Sequence, residues 1–375
     1  MVAGRLPEPL CDLVLADAEG ARFLTAWGAG VARARRLQQA GVRRLLDVAC
    51  GIGGQALAAR ALGLEVIALE ADPLRAQLAR HNLQRCIPAA PEATVVVGDG
   101  TDSEVLRPLL QGVDAVLLDP SRAPSASQRQ WADLHPDPLA VAAALRSATP
   151  SPPPLVVELP PFLAPTRVPL GAGELEYLGL GNRLNRLTFY PPPFAQSSRS
   201  VGLIDDAGAT LGRLLMPQEA STTPGIATAQ VGDLIGQVHP ALAHSGLLSA
   251  ALAPGGPLQG APLDTLEGAE ATAPGQERHT FVRLQRRGAA PWCIHEVQLA
   301  SPLVPPRSDE SEQALVGRIA LGAAVDGLGP LEVRLQLEPM RIDSLHRALG
   351  AALQPGRPGT LLQLGGQWWL GRRLR

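Results

Sequence analysis

Leu45 to Asp72 reads LLDVACGIGGQALAARALGLEVIALEAD, and it restricts the fold more tightly than any other stretch. An apolar run, Val42 to Val48, breaks into a turn of small residues. An Ala-rich segment follows, and a second apolar run, Val66 to Leu69, stops at the acid Glu70. The pattern predicts strand, glycine turn, helix, strand and acid, the order that a nucleotide-type ligand needs. Gly51 and Gly53 allow the backbone to come close to such a ligand. The helix start beyond Gly54 offers unpaired N–H groups, and Glu70 can accept from two ribose hydroxyls at once.

The glycines do not complete a G-x-G-x-x-G pattern. Gly51, Gly53 and Gly54 follow Asp47, Ala49 stands where a further glycine could, and no lysine follows to hold a phosphate. An acid at the end of the first strand repels a pyrophosphate but can orient a cationic or neutral ligand. The combination points to S-adenosylmethionine rather than NAD, and from Asp47 to Gly53 the chain resembles the class I methyltransferase family. That resemblance implies cofactor contacts at Asp47, Ala49, Cys50, Gly51 and Gly53, at Glu70 and Ala71, at Asp99 and Gly100 after the third strand, and at Asp119. Asp72, followed by Pro73, reads as a helix N-cap.

Apolar positions at helical spacing predict two helices within residues 8–40, which either cap the sheet edge or cover the ligand. Strands are expected at 42–48, 65–70, 93–97, 113–119 and 154–159, with helices at 54–62, 73–85, 103–110 and about 135–147. Alternation of this kind implies a doubly wound α/β fold with a parallel sheet. Two later strands, Arg186 to Tyr190 and Arg199 to Ile204, have no helix between them. They match the antiparallel hairpin of a seven-stranded methyltransferase sheet, where a dehydrogenase would continue with crossovers. The expected organisation is a helical segment at 1–40, a cofactor domain at 41–205, a linker at 206–229 and a smaller α+β domain at 230–375. In that last part the pattern suggests a helix at 239–252, strands at 279–286, 293–299 and 331–337, helices at 309–323 and 344–353, and a hairpin at 359–364 and 367–373.

The fourth strand delivers Asp119-Pro120-Ser121-Arg122 to the carboxyl end of the sheet, where ligands of open α/β folds bind. Asp119, Pro120 and Arg122 are the candidate catalytic residues: Asp119 can accept from an exocyclic amine, and Arg122 can stack or contact phosphate. Ser121 and Arg122 replace the second proline and the aromatic of amine methyltransferases that act on bases. GIGG at 51–54, ADPLRAQLARHN at 71–82, LLDPSRAP at 117–124, ELPPF at 158–162 and GQVHPALAHSGLL resemble bacterial methyltransferases with a C-terminal THUMP-like domain. In that family the fourth motif usually reads Asp-Pro-Ala-Arg-Arg, and an Asp usually follows the glycine motif, where this chain has Gln55. The resemblance implies an RNA substrate. Arg278, Arg283, Arg286 and Arg287, with Trp368, Trp369, Arg372, Arg373 and Arg375, add basic and aromatic groups of the kind that hold single strands, although charges alternating along a strand commonly form a solvated face and tryptophans of a terminal strand commonly pack a core. Two functions stay open: methylation of RNA at a base amine, and an inactive cofactor pocket on an RNA-binding or assembly module. A C5-pyrimidine mechanism needs a cysteine after the fifth strand, and ELPPFLAP has none.

A formal net charge of −2 gives no global attraction to nucleic acid or to an acidic membrane. Cys11, Cys50, Cys86 and Cys293 show no metal-binding spacing, so no metal is expected and the thiols read as reduced. With neither a basic leader followed by an apolar core nor a span-length apolar stretch, a cytoplasmic protein that does not enter the membrane is expected.

Overall fold

The computed structural model describes residues 4–374 apart from 9, 89–92, 123–129, 218–226, 254, 259, 263–279, 307–308, 336, 338 and 365, and the side chains of 122, 262 and 339 are also outside the description. The chain divides into two units, Met1–Met216 and Pro217–Arg375.

The first unit begins with three helices, α1 (Leu10–Leu13), α2 (Ala18–Phe23) and α3 (Trp27–Gln39). Strands and helices then alternate: β1 (Arg44–Val48), α4 (Gly54–Ala61), β2 (Glu65–Glu70), α5 (Pro73–Arg85), β3 (Ala93–Val97), α6 (Ser103–Leu109), β4 (Ala115–Leu118), α7 (Pro138–Ala148) and β5 (Leu155–Leu159). Helices α5, α6 and α7 start where an acid supplies a cap. Asp72 accepts from the N–H groups of Leu74 and Arg75, Asp102 from Glu104, and Asp137 from Leu139, with proline following at 73 and 138. Strands β1 to β5 are parallel, and the apolar runs of β1, β2, β4 and β5 are buried, as expected of a sheet covered on both faces, whereas edge strand β3 is only partly covered. Leu45, Leu57, Leu117 and Ala79 belong to the main core of this unit.

The sheet has nine strands, not seven. After β5 come β6 (Glu174–Leu180), β7 (Arg183–Tyr190), β8 (Arg199–Ile204) and β9 (Thr210–Leu215), and the order across the sheet is β9-β8-β6-β7-β5-β4-β1-β2-β3. The hairpin expected between Arg186–Tyr190 and Arg199–Ile204 does not form; the late hairpin joins β6 to β7 instead. β7 pairs antiparallel with β6 and with β5, whereas β8 runs parallel to β6. Thr210–Leu215 lies inside the stretch expected as linker and forms an antiparallel edge strand instead. Its pattern alternates exposed and half-buried residues, so it lacks the buried face that would have marked it as a strand.

In the second unit, β10 (Leu234–Val238), β11 (Gly260–Pro262), β12 (Phe281–Leu284), β13 (Cys293–Leu303), β14 (Leu328–Arg334), β15 (Arg357–Leu364) and β16 (Gln367–Arg373) form one sheet in the order β11-β12-β10-β13-β16-β15-β14. The single helix expected over 239–252 is two, α8 (Pro240–Ser245) and α9 (Leu248–Leu252), separated at Gly246, whose φ of 74° ends the first. α10 (Glu312–Val325) and α11 (Pro339–Ala352) pack with β14, β15 and β16 around Ile319, Leu349 and Trp368. Trp368 and Trp369 are both buried, in two separate cores, so neither offers a face on which a base could stack. Arg278 and Arg375 lie outside the described residues. Among the described residues no helix is long and apolar enough to cross a membrane, and no group of three or more His, Cys, Asp or Glu could hold a metal ion.

Candidate functional site

The turn after β1 is built from left-handed residues. Ala49 and Gly51 each have φ of 57° and Gly53 has φ of 90°; Ala49 is the one non-glycine with positive φ among the described residues. An alanine held there costs roughly 1–2 kcal/mol, and strain of this kind gathers at ligand sites. Gly53 is the N-cap of α4. A Cβ placed on Gly51 would meet no protein atom, because that face opens into a cavity of about 360 Å³ at the carboxyl ends of β1, β2 and β4.

Of the residues singled out in the sequence, Asp47, Ala49, Cys50, Gly51, Glu70, Ala71, Asp99, Gly100, Asp119 and Pro120 line this cavity. Gly53 does not; it serves the helix start. The Arg122 side chain falls outside the described residues. Asp72 acts as the cap expected of it. Asp99 takes the backbone N–H and the hydroxyl of Thr101 on Oδ1, both at 2.8 Å, and so shapes its turn while facing the cavity.

Glu70 closes β2 with its carboxylate turned back to the glycine corner. Oε2 accepts from the Gly51 N–H at 2.7 Å and Oε1 from the Asp72 N–H at 3.0 Å. Each oxygen keeps a lone pair for a further donor.

Asp47 is fully buried, and neither carboxyl oxygen makes a well-formed hydrogen bond among the described residues, the Ala56 amide being only a weak donor to it. Burial first, then Asp119 and Glu70, pushes its pKa up to about 8, against the opposing pull of Arg33 and the Ala56 amide. The carboxyl is therefore mostly neutral at pH 7, and a cation brought beside it would ionise it. A buried acid without a well-formed hydrogen bond is costly. Its folded pKa exceeds its unfolded value, so its contribution to stability is most favourable below about pH 4 and is lost as pH rises towards 8. Asp47→Asn is accordingly expected to raise the thermal midpoint of the ligand-free protein. The gain, on the order of a few kcal/mol, should grow from pH 4 to pH 8 and vanish below pH 4. Thermal unfolding across that range checks it, and a flat difference would contradict the buried-acid assignment.

Asp119 leaves β4 at the far side of the same cavity. Its Oδ2 accepts from the Thr25 hydroxyl at 3.0 Å and lies 3.7 Å from Arg186 Nη2. Arg186 on β7 also reaches Glu158 of β5, Nε to Oε2 at 3.4 Å, and buried Glu158 is paired in turn with Arg33 of α3. The acid at the cavity wall thus ends a row of alternating charges running beneath it.

Thr25, Arg186 and the His135-Pro136 peptide line the site without having been read from the sequence. Thr25 and Asp119 are 94 residues apart, and no local pattern marks such a meeting. The N-terminal helices cover the ligand side: Glu19, Gly20, Phe23 and Leu24 line the cavity. Asn82 of α5 ties this segment down, bonding the Leu15 N–H, the Leu15 carbonyl and the Ile52 carbonyl. Arg75 pairs with Asp17 and Glu19 across the same seam.

Among the described residues, Glu19, Glu70, Asp99 and Asp119 line the cavity together with the largely neutral Asp47, against two guanidiniums, Arg75 and Arg186, each already paired with acids. That field favours a cationic ligand and opposes a pyrophosphate. Cys50 is no nucleophile there, because burial and then Asp47 and Glu70 hold its thiol well above the usual range.

No family model matches the chain, and no curated protein matches it in sequence. Solved structures do. A candidate methyltransferase from Porphyromonas gingivalis W83 matches with a TM-score of 0.69 and 15% identity, over 97% of this chain and 84% of that one. The tRNA (uracil-54, C5)-methyltransferase of Pyrococcus abyssi, solved with S-adenosyl-L-homocysteine, matches at a TM-score of 0.26 and 21% identity, over 36% of this chain and 29% of that one. A candidate RNA methyltransferase from Pyrococcus horikoshii gives 0.27 and 17%, over 36% and 60%. The last two likenesses are too slight to argue from. The first establishes a shared fold over nearly the whole chain.

Proposed function

We propose that this chain is an S-adenosylmethionine-dependent methyltransferase that acts on RNA, with a base amine as acceptor. The observation that carries the reading is Asp47: a buried carboxyl without a well-formed hydrogen bond among the described residues, on the wall of an acidic cavity, beside a glycine corner that leaves room for a ligand. These residues fit the cofactor. Asp47 ionises in response to its positive charge, Glu70 accepts from the ribose hydroxyls, and the Gly51 backbone gives close approach. When bound, S-adenosylmethionine supplies a methyl group on a sulfonium, an electrophile strong enough that positioning and exclusion of water provide most of the acceleration. The protein contributes both. The segment from Glu19 to Thr25 covers the cavity, and Asp119 orients the acceptor's N–H and takes its proton.

RNA as the acceptor draws support from exposed Arg286, Arg287 and Arg372 in the second unit, which the resemblance to THUMP-like proteins would place on nucleic acid. The buried tryptophans leave that contact to the arginines. The alternative, a cofactor-binding module without turnover, takes its support from Ser121, whose hydroxyl is turned to the His135 carbonyl at 3.2 Å and away from any acceptor role.

The deciding experiment incubates the purified chain with methyl-labelled S-adenosylmethionine and total RNA from cells lacking the gene, then digests the RNA for nucleoside mass spectrometry. A labelled base with its methyl on nitrogen is expected. Cofactor binding with no label in RNA would favour the module.

A further inference from the structure

The hydrogen bonds reaching Asp119 have a direction. Gln55 Nε2 donates to Thr25 Oγ1 at 3.3 Å, and Thr25 Oγ1 donates to Asp119 Oδ2 at 3.0 Å. Thr25 and Gln55 are each 5% exposed, so water does not compete for these groups. A hydroxyl carries one proton. With an amide N–H aimed at its oxygen, that proton is committed to Asp119. Arg186 stands nearest the same Oδ2. Oδ1 takes part in neither contact, and the Asp119 side chain is 21% exposed at the cavity wall.

We propose that Thr25, polarised by Gln55, is a positioning residue that occupies Oδ2 of Asp119 so that Oδ1 alone meets the acceptor. This rests on the methyltransferase reading and, independently of the base-amine assignment, requires a nucleophile that arrives with a proton, an N–H or an O–H. The acceptor gives up one proton for each methyl it gains, and Oδ1 is where that proton goes. Gln55 matters through its polarity. The acid usual at this position in the family it resembles would accept instead of donate, and would compete with Asp119 for the Thr25 proton.

The test uses the full-length protein, with label transfer from S-adenosylmethionine to the same RNA, and S-adenosylhomocysteine affinity by calorimetry. Thr25→Val should lower kcat by about 10–100-fold, with apparent KM for RNA and S-adenosylhomocysteine affinity each within about twofold of wild type. Thr25→Ser should restore most of the lost kcat. Gln55→Glu, equal in size and opposite in hydrogen-bonding sense, should lower kcat without releasing the ligand, and it decides the matter if the valine variant fails to fold. The proposal is overturned if Thr25→Val turns over like wild type, if serine fails to rescue it, or if the loss lies in KM or ligand affinity. It is also overturned if the wild type binds S-adenosylhomocysteine yet methylates no RNA. A wild type that binds no S-adenosylhomocysteine sinks the methyltransferase reading itself, a separate and recognisable result.

Discussion

Asp119→Asn is expected to cut kcat by about 10²–10⁴-fold, the usual range for a lost general acid–base group, while cofactor affinity stays within about twofold. Asparagine keeps the shape of the side chain and can still accept from Thr25. It offers no site that can take up a proton and no charge to set against Arg186, which lies 3.7 Å from Oδ2. The row Asp119, Arg186, Glu158, Arg33 then ends on a neutral group, so a modest fall in thermal midpoint should accompany the kinetic loss. Steady-state kinetics together with calorimetric titration separate the two effects. A variant that keeps turnover would remove Asp119 from the chemistry, and one that loses the cofactor would make it part of the cofactor site.

Glu70→Ala should weaken S-adenosylmethionine binding by about 1–3 kcal/mol, the usual cost of losing a charged hydrogen bond. The substitution acts twice. It removes the acceptor meant for the ribose, and it releases the Gly51 and Asp72 N–H groups that Glu70 now holds at 2.7 and 3.0 Å. The glycine corner would therefore loosen as well. Glu70→Gln helps to divide the two contributions, since its one amide oxygen can serve Gly51 or the sugar but is a weaker acceptor for both. Unchanged affinity in the alanine variant would refute the ribose role.

What could be read from the chain was what is local in it. Asp47 and Glu70 end two apolar runs in one strand-turn-helix-strand unit, so their types and spacing sufficed to set both on one wall. Asp72 announced itself as a cap because Pro73 follows. Gly53 was assigned to the cofactor by pattern; its φ of 90° also starts α4, a role that only backbone geometry shows. Thr25 and Arg186 were invisible because they reach Asp119 from the α2–α3 connection and from β7, with nothing beside them in sequence to mark the meeting. The extra strands failed for a different reason. Thr210–Leu215 buries none of its residues, and Glu174–Leu180 carries glycine at 179 and acids at 174 and 176, whose charges are met only in three dimensions. Arg36 reaches Glu174 at 2.6 Å and Glu176 at 3.1 Å. Trp368 and Trp369 allowed two readings, a stacking surface beside the arginines or a place in a core, and alternation along β16 sends each into a core.

The central claim is that buried Asp47 waits as an acid for a cationic nucleoside. Calorimetric titration of S-adenosylmethionine at pH 7, repeated in buffers of different ionisation enthalpy, counts the protons released on binding. With Asp47 at about 8 in the free protein, close to one proton should leave per chain in the wild type. That proton should be missing from the Asp47→Asn variant, which should also bind more weakly. Binding by the wild type with no proton released, or the same release from both proteins, would contradict the account.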